Sequence, residues 1–161
     1  MAGDHTLARS AELTEHVLRC VFAALSEQRV ELEGMLLKPA MVLPGASSPD
    51  PADLTAVAAA TLCSLLRTVP AAVPGIVFLS GGQDSVVATA RLNAIGGSGA
   101  TPWALSFSFG RALQDDALRV WRGDSANVAA AQRALRHRAR CNALAVRGWY
   151  TAAAEAEHVP A

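Results

Sequence analysis

Gly75-Ile76-Val77-Phe78-Leu79-Ser80-Gly81-Gly82-Gln83 is the stretch on which the fold turns. Its first five residues form a short apolar run bounded by breakers, Pro70 and Pro74 before it and the paired glycines after it. That pattern suits a strand covered on both faces. A helix is predicted over Asp84 to Ile95, closed by Gly96-Gly97-Ser98-Gly99. The unit is therefore strand, glycine loop, helix.

The same unit recurs on either side. Downstream, Trp103 to Phe109 reads as a strand, Gly110-Arg111 as its turn and Ala112 to Trp121 as a helix. Upstream, Glu31 to Leu37 reads as a strand that Pro39, lacking an N–H, brings to an end. An amphipathic helix over residues 7–28 precedes it, with Leu13, Val17, Cys20, Val21, Ala24 and Leu25 on one face. After the Pro44-to-Pro49 loop, Asp50 is a good N-cap and Pro51 fits the first position of a helix running to Thr68. A last helix spans Ser125 to Val146 with Gly148 as its stop, and Thr151 to Ala161 read as a frayed tail. Strands alternating with helices imply parallel pairing through right-handed crossovers.

Composition narrows the function classes. The chain has 161 residues, 52% of them hydrophobic, with no net charge and a pI near 6.9. That suits one packed domain and favours neither nucleic acid nor an anionic membrane as partner. Cys20, Cys63 and Cys141 each fall within a helical pattern and read as reduced packing residues. No stretch reads as a signal peptide or a membrane span, so a cytoplasmic location is expected. The four histidines show no paired metal spacing, the arginines at 133, 136, 138 and 140 read as a solvated helical face, and the three tryptophans as packing residues.

Functional groups in parallel sheets gather beyond the carboxyl ends of the strands. Here those ends carry Lys38, Ser80-Gly81-Gly82 and Gly110-Arg111. Lys38 is the only lysine beside 13 arginines, and lysine, unlike arginine, can serve as an amine nucleophile. Taken alone it equally fits a strand-end lysine reaching solvent, with Glu33 as one candidate partner. Paired glycines at a helix start can aim backbone N–H groups at an anion, although an isolated Ser-Gly-Gly also makes an ordinary turn. Arg111 can clamp a phosphate bidentately, or pair with Asp115. Two anion-friendly loops beside a nucleophilic lysine suggest a Schiff base to a phosphorylated carbonyl compound.

Three longer motifs carry a resemblance. Leu32-Glu33-Gly34-Met35-Leu36-Leu37-Lys38-Pro39, the stretch from Gly75 to Gln83, and Pro102 to Gln114 are similar in sequence and order to class I fructose-bisphosphate aldolase. Arg67-Thr68-Val69-Pro70 and Leu92-Asn93-Ala94-Ile95 match between them, and the similarity runs from about Leu13 to Thr151. The resemblance implies a metal-free, cofactor-free glycolytic lyase on a (β/α)₈ barrel, usually tetrameric. Such enzymes reversibly cleave fructose 1,6-bisphosphate to dihydroxyacetone phosphate and glyceraldehyde 3-phosphate. It implies that Lys38 is the Schiff-base lysine, that Ser80, Gly81 and Gly82 form one phosphate loop, and that Gly110 and Arg111 form its partner.

The departures shape the expectation. A barrel of this kind takes about 250 residues, and this chain matches its last three strand–helix units and the helix before them. The family's carboxylates, second active-site lysine and C-terminal tyrosine have no counterpart here. Ala40 and Phe109 stand where the family usually has asparagine and tyrosine. The expected fold is therefore α/β, an incomplete TIM barrel. Residues 1–150 would be its C-terminal portion and residues 151–161 a flexible tail. The expected function is that of a class I aldolase acting through Lys38 on a phosphorylated sugar, with the isolated chain a fragment that is inactive or nearly so. The alternative is a non-catalytic aldolase-like polypeptide that keeps a phosphate-binding edge and associates with full-length subunits. Homo-oligomerisation is the other assembly to expect.

Overall fold

The computed structural model describes residues 2–157. The described chain contains α1 (Leu7–Glu27), β1 (Leu36–Leu37), α2 (Leu54–Thr68), β2 (Gly75–Phe78), α3 (Ser85–Gly96), β3 (Ala104–Phe107), α4 (Arg111–Trp121), α5 (Val128–Ala145) and α6 (Ala152–Ala156). The three strands form one parallel sheet in the order β1-β2-β3, as repeated strand–helix units require. Leu37 pairs with Ile76, Val77 with Ser106 and Phe78 with Phe107. Bonds from Leu79 N–H to Pro39 C=O (3.0 Å) and from Ser108 N–H to Phe78 C=O (2.8 Å) continue the ladder past the strand ends.

Side chains alternate across a strand, so the register sorts the sheet into two faces. Ile76 and Phe78 are fully buried, and Leu37, Leu105 and Phe107 pack beside them against the helices. Val57, Val73, Leu92 and Ile95 complete that core. The opposite face carries Leu36, Lys38, Val77, Ala104 and Ser106, of which Leu36 is 62% exposed. The run around β2 is thus covered on one face, where its unbroken apolar character suggested two.

Several boundaries differ from expectation for identifiable reasons. Residues 32–34 form a 3₁₀ turn, and β1 is confined to Leu36–Leu37. Leu36 lies opposite Gly75, and Pro74 immediately before it has no N–H to offer a longer strand. Asp53, rather than Asp50, caps α2, its carboxylate accepting the Ala56 N–H at 2.7 Å. Asp50 is instead held in a local turn with Ser48. On α1 the buried residues are Leu18 and Phe22, while Leu13, Val17 and Val21 form an exposed apolar stripe. The helical period was legible there, but not which face has a neighbour. Cys20 and Cys63 are exposed and Cys141 is buried, all three as free thiols. Trp103 packs, its indole N–H bonded to Pro70 C=O at 3.0 Å, whereas Trp121 and Trp149 are exposed.

The stretch after Gly148 departs furthest from expectation. Ala152–Ala156 form a helix capped by Thr151, in place of a frayed tail; His158 to Ala161 lie outside the described residues. Glu155 holds α6 in place by accepting two bonds from the Arg138 guanidinium, at 2.9 and 2.5 Å. Arg138 is 2% exposed, so it does not belong to the solvated face its neighbours suggest. Thr89, Asn142 and Asp116 surround it, with Thr89 Oγ1 accepting an N–H at 3.2 Å and also donating to Asn142 Oδ1 at 2.7 Å. Gly96 permits the α3 and α5 ends to meet here, since a Cβ on it would lie 2.5 Å from Ala145 C=O.

Tyr150 donates its hydroxyl to Glu155 at 2.7 Å, and it is the only tyrosine of the chain. Burial first and the Glu155 carboxylate second push its phenol from 10 up to about 12. Because the folded value is the higher, this contact contributes its full stability below about pH 10 and loses it as pH rises through about 12. Ultraviolet titration of tyrosinate should give a midpoint near 12 in the folded chain and near 10 in denaturant. A folded midpoint near 10 would show that the Tyr150–Glu155 contact is absent in solution.

Candidate active site

The parallel register delivers all three polar clusters to one end of the sheet. Lys38 follows β1 directly, and one step on in the Leu37–Ile76 register it falls beside Val77 on the face not covered by helices. Its side chain is exposed, and neither Glu33 nor any other carboxylate among the described residues is within ion-pair distance. It lines a groove of about 590 Å³ between the free edge of β1 and α1, with His5, Arg9, Leu13 and Val17.

Ser80 is 5% exposed, and its carbonyl accepts from the Gln83 backbone N–H at 3.1 Å and from the Gln83 side chain at 2.9 Å. This tight turn needs left-handed backbone at Gly81 and Gly82, with φ of 56° and 80°. Asp84 then caps α3, accepting from the N–H groups of Val86 and Val87. The third cluster leans on this turn. A Cβ built at Gly82 would stand 3.1 Å from a terminal nitrogen of Arg111. The absent side chain is what lets the guanidinium lie against the loop. Gly110 occupies the N-cap of α4, and Arg111 is the first residue of that helix.

Asp115 is not within ion-pair distance of Arg111, and Arg111 has no carboxylate partner among the described residues. The Arg111 fork, the Gly81-Gly82 turn and the α4 N-terminus, which has no side-chain cap, thus stand together with no carboxylate within ion-pair distance of the guanidinium. That arrangement is suited to a phosphate. Of the residues singled out from sequence, the structure brings Gly82 and Arg111 into contact. Lys38 sits at the same sheet end but opens into its own groove.

One group of potential metal ligands was missed: His137 and Cys141 lie four residues apart on α5, but Glu155 joins them only in the folded chain. His137, Cys141 and Glu155 place their ligand atoms within 4.8 Å of one another. Both Glu155 oxygens are already taken by Arg138, and one also by Tyr150. Burial pushes the Cys141 thiol above its ordinary range, and the thiol donates to Ala154 C=O at 3.6 Å. A protonated thiol beside a carboxylate committed to arginine is a poor cation site. The group serves instead to fasten α6. Sequence reading also passed over Arg91, which reaches the Ser80 loop from α3.

Comparison with known proteins adds the family. The sequence profile described as fructose-bisphosphate aldolase class-I matches residues 1–160. Fructose-bisphosphate aldolase of Dictyostelium discoideum is 52% identical over 151 residues, covering 94% of this chain and 42% of that protein. Fructose-bisphosphate aldolase B of Gallus gallus is 54% identical over 149 residues, covering 92% of this chain and 41% of its own length. In solved structures, the chain superimposes with a TM-score of 0.92 and 47% identity on aldolase from Plasmodium falciparum, crystallised with TRAP and a small-molecule inhibitor. That alignment covers 93% of this chain and 43% of the other. The chain thus spans well under half the length of these relatives. Sequence, parallel topology and the order of the three strand-end clusters agree, and the chain belongs to the class I fructose-bisphosphate aldolase family.

Proposed function

We propose that Lys38 is the Schiff-base nucleophile of a fructose-bisphosphate aldolase site, and that Ser80, Gly81, Gly82, Gly110 and Arg111 hold one substrate phosphate. The observation that carries this reading is the Arg111 guanidinium lying against Gly82 at the sheet end where Lys38 emerges. In the proposed step the Lys38 amine adds to the ketone carbon of the sugar bisphosphate and water leaves, giving an iminium. The C4 hydroxyl then gives up its proton, the C3–C4 bond breaks to release glyceraldehyde 3-phosphate, and the electron pair moves toward the cationic nitrogen as an enamine. Protonation of that enamine at C3 restores the iminium, and water hydrolyses it to dihydroxyacetone phosphate and the free amine.

A general acid–base is worth about 10²–10⁴-fold in such chemistry, and no carboxylate among the described residues is close enough to Lys38 to form an ion pair. The open sheet face also leaves the amine in water, where a nucleophilic lysine gains from enclosure. The 161-residue polypeptide on its own should therefore form an adduct with dihydroxyacetone phosphate yet cleave the bisphosphate poorly. Borohydride trapping tests this: the chain should gain one triose phosphate less one oxygen, mapped to Lys38. No adduct at Lys38 would sink the reading.

Arg111→Ala checks the phosphate loops independently. Loss of a charge-assisted hydrogen bond should weaken binding of inorganic phosphate by about 10- to 100-fold in calorimetry. Equal binding by the variant would remove Arg111 from the site.

A second reading, association with full-length aldolase without catalysis, is favoured by the free edge of β1 and the exposed stripe Leu13, Val17 and Val21. Co-sedimentation with aldolase, together with no trapped adduct, would select it over the first. A cytoplasmic setting and the absence of nucleic-acid or membrane partners belong to the same proposal, supported by the near-neutral charge. No helix among the described residues is long and apolar enough to cross a membrane.

A further inference from the structure

We propose that Gln83 and Arg91 are positioning residues that set the shape and charge of the Ser80–Gly82 loop. This rests on the reading of that loop as a phosphate site. Gln83 is 9% exposed and its amide is fully used. Its Nε2 donates to Ser80 C=O at 2.9 Å and contacts Met41 Sδ at 3.8 Å, while its Oε1 accepts from the Arg91 guanidinium at 2.8 Å. Arginine can only donate, so Arg91 dictates which way the amide points. That leaves the amide nitrogen facing the loop. The bond to Ser80 closes the turn from inside, and the Met41 contact ties it to the segment following Lys38-Pro39-Ala40.

Arg91 has no carboxylate within ion-pair distance among the described residues, and its Nε is buried without a partner. Burial depresses its pKa, the mark of a charge held with little compensation. Together with Gly81, Gly82 and Gln83, it lines a cavity of about 610 Å³ bordered by the loop from Leu43 to Ala52. A neutral glutamine therefore accepts from Arg91 without cancelling its charge, leaving a positive potential behind loop N–H groups suited to an anion. A carboxylate at position 83 would pair better with Arg91 and serve the loop worse.

That contrast supplies the test, with inorganic phosphate as probe and calorimetry, thermal melting and amide exchange as readouts. Gln83→Met and Arg91→Met should each weaken phosphate binding by about five- to tenfold, the scale of one hydrogen bond. Gln83→Glu exchanges the bond to Ser80 for an ion pair with Arg91, so it should melt higher than Gln83→Met and yet bind phosphate no more tightly. A merely structural role predicts that binding follows melting temperature. Variants that bind phosphate like the parent overturn the proposal. If the parent chain itself binds no phosphate, the phosphate-loop reading fails, and exchange at Gly81 and Gly82 decides whether the two residues shape the loop. Faster exchange in Gln83→Met upholds that role, and unchanged exchange ends it.

Discussion

Lys38→Met is expected to abolish borohydride-dependent attachment of dihydroxyacetone phosphate completely while leaving the fold and phosphate binding intact. Both halves of this expectation follow from where Lys38 sits. It is the only lysine in the chain, so no other lysine amine can take over the imine. Peptide mapping separates it from the α-amino group. Its side chain is exposed and has no ion-pair partner among the described residues. Substitution at such a surface position usually changes stability by less than about 0.5 kcal/mol. The phosphate loops belong to β2–α3 and β3–α4, and their geometry rests on Gly82, Gln83 and Arg111. A variant that still binds phosphate but cannot be trapped would separate covalent chemistry from anion recognition. An undiminished adduct on another residue in Lys38→Met would refute the assignment of the nucleophile.

The second large effect concerns stability, on the helix-covered side of the sheet. Arg138→Met should destabilise the chain by about 3 kcal/mol, the lower end for breaking a buried ion pair. Arg138 is 3% exposed at its side chain and Glu155 26%, so the abandoned carboxylate recovers some hydration. For a chain of this length that corresponds to a melting temperature lower by roughly 6–12 °C. Acid should narrow the difference. Burial opposes ionisation of Glu155, but bonds from Arg138 and Tyr150 outweigh it and hold the carboxyl below its usual value. A depressed folded value gives stability that is present above the unfolded pKa, near 4.5, and is lost as pH falls through the folded one. Parent and variant melting curves should therefore draw together as pH falls below 4.5. A constant gap across that range would show that the pair is not the source of the difference.

These two sites differ in how far they could be read before folding. The strand–loop–helix units were legible because each strand lies in a short apolar run that glycine or proline brings to an end. Parallel pairing then follows from connectivity, and with it the placement of Lys38, Ser80 and Arg111 at one sheet end. Even there, the contact between Gly82 and Arg111 was not legible, since nothing local says how far one loop leans toward the next.

Arg138 shows the opposite case. Among alternating arginines on a helix it looks like any solvated cation, and α6 alone is too short to be stable as an isolated helix. Glu155 meets Arg138 only through the fold, which returns α6 to α5. Arg91 and Gln83 are eight residues apart, and their bond depends on the turn that joins them. The amino-acid sequence by itself determined the strand–helix order and the nucleophile candidate, because local propensity and connectivity suffice for those, and its three motifs carried the resemblance to the family. Tertiary structure decided which sheet face is open, which arginines are buried and how the phosphate loop is braced, because burial and charge pairing depend on neighbours distant in the chain.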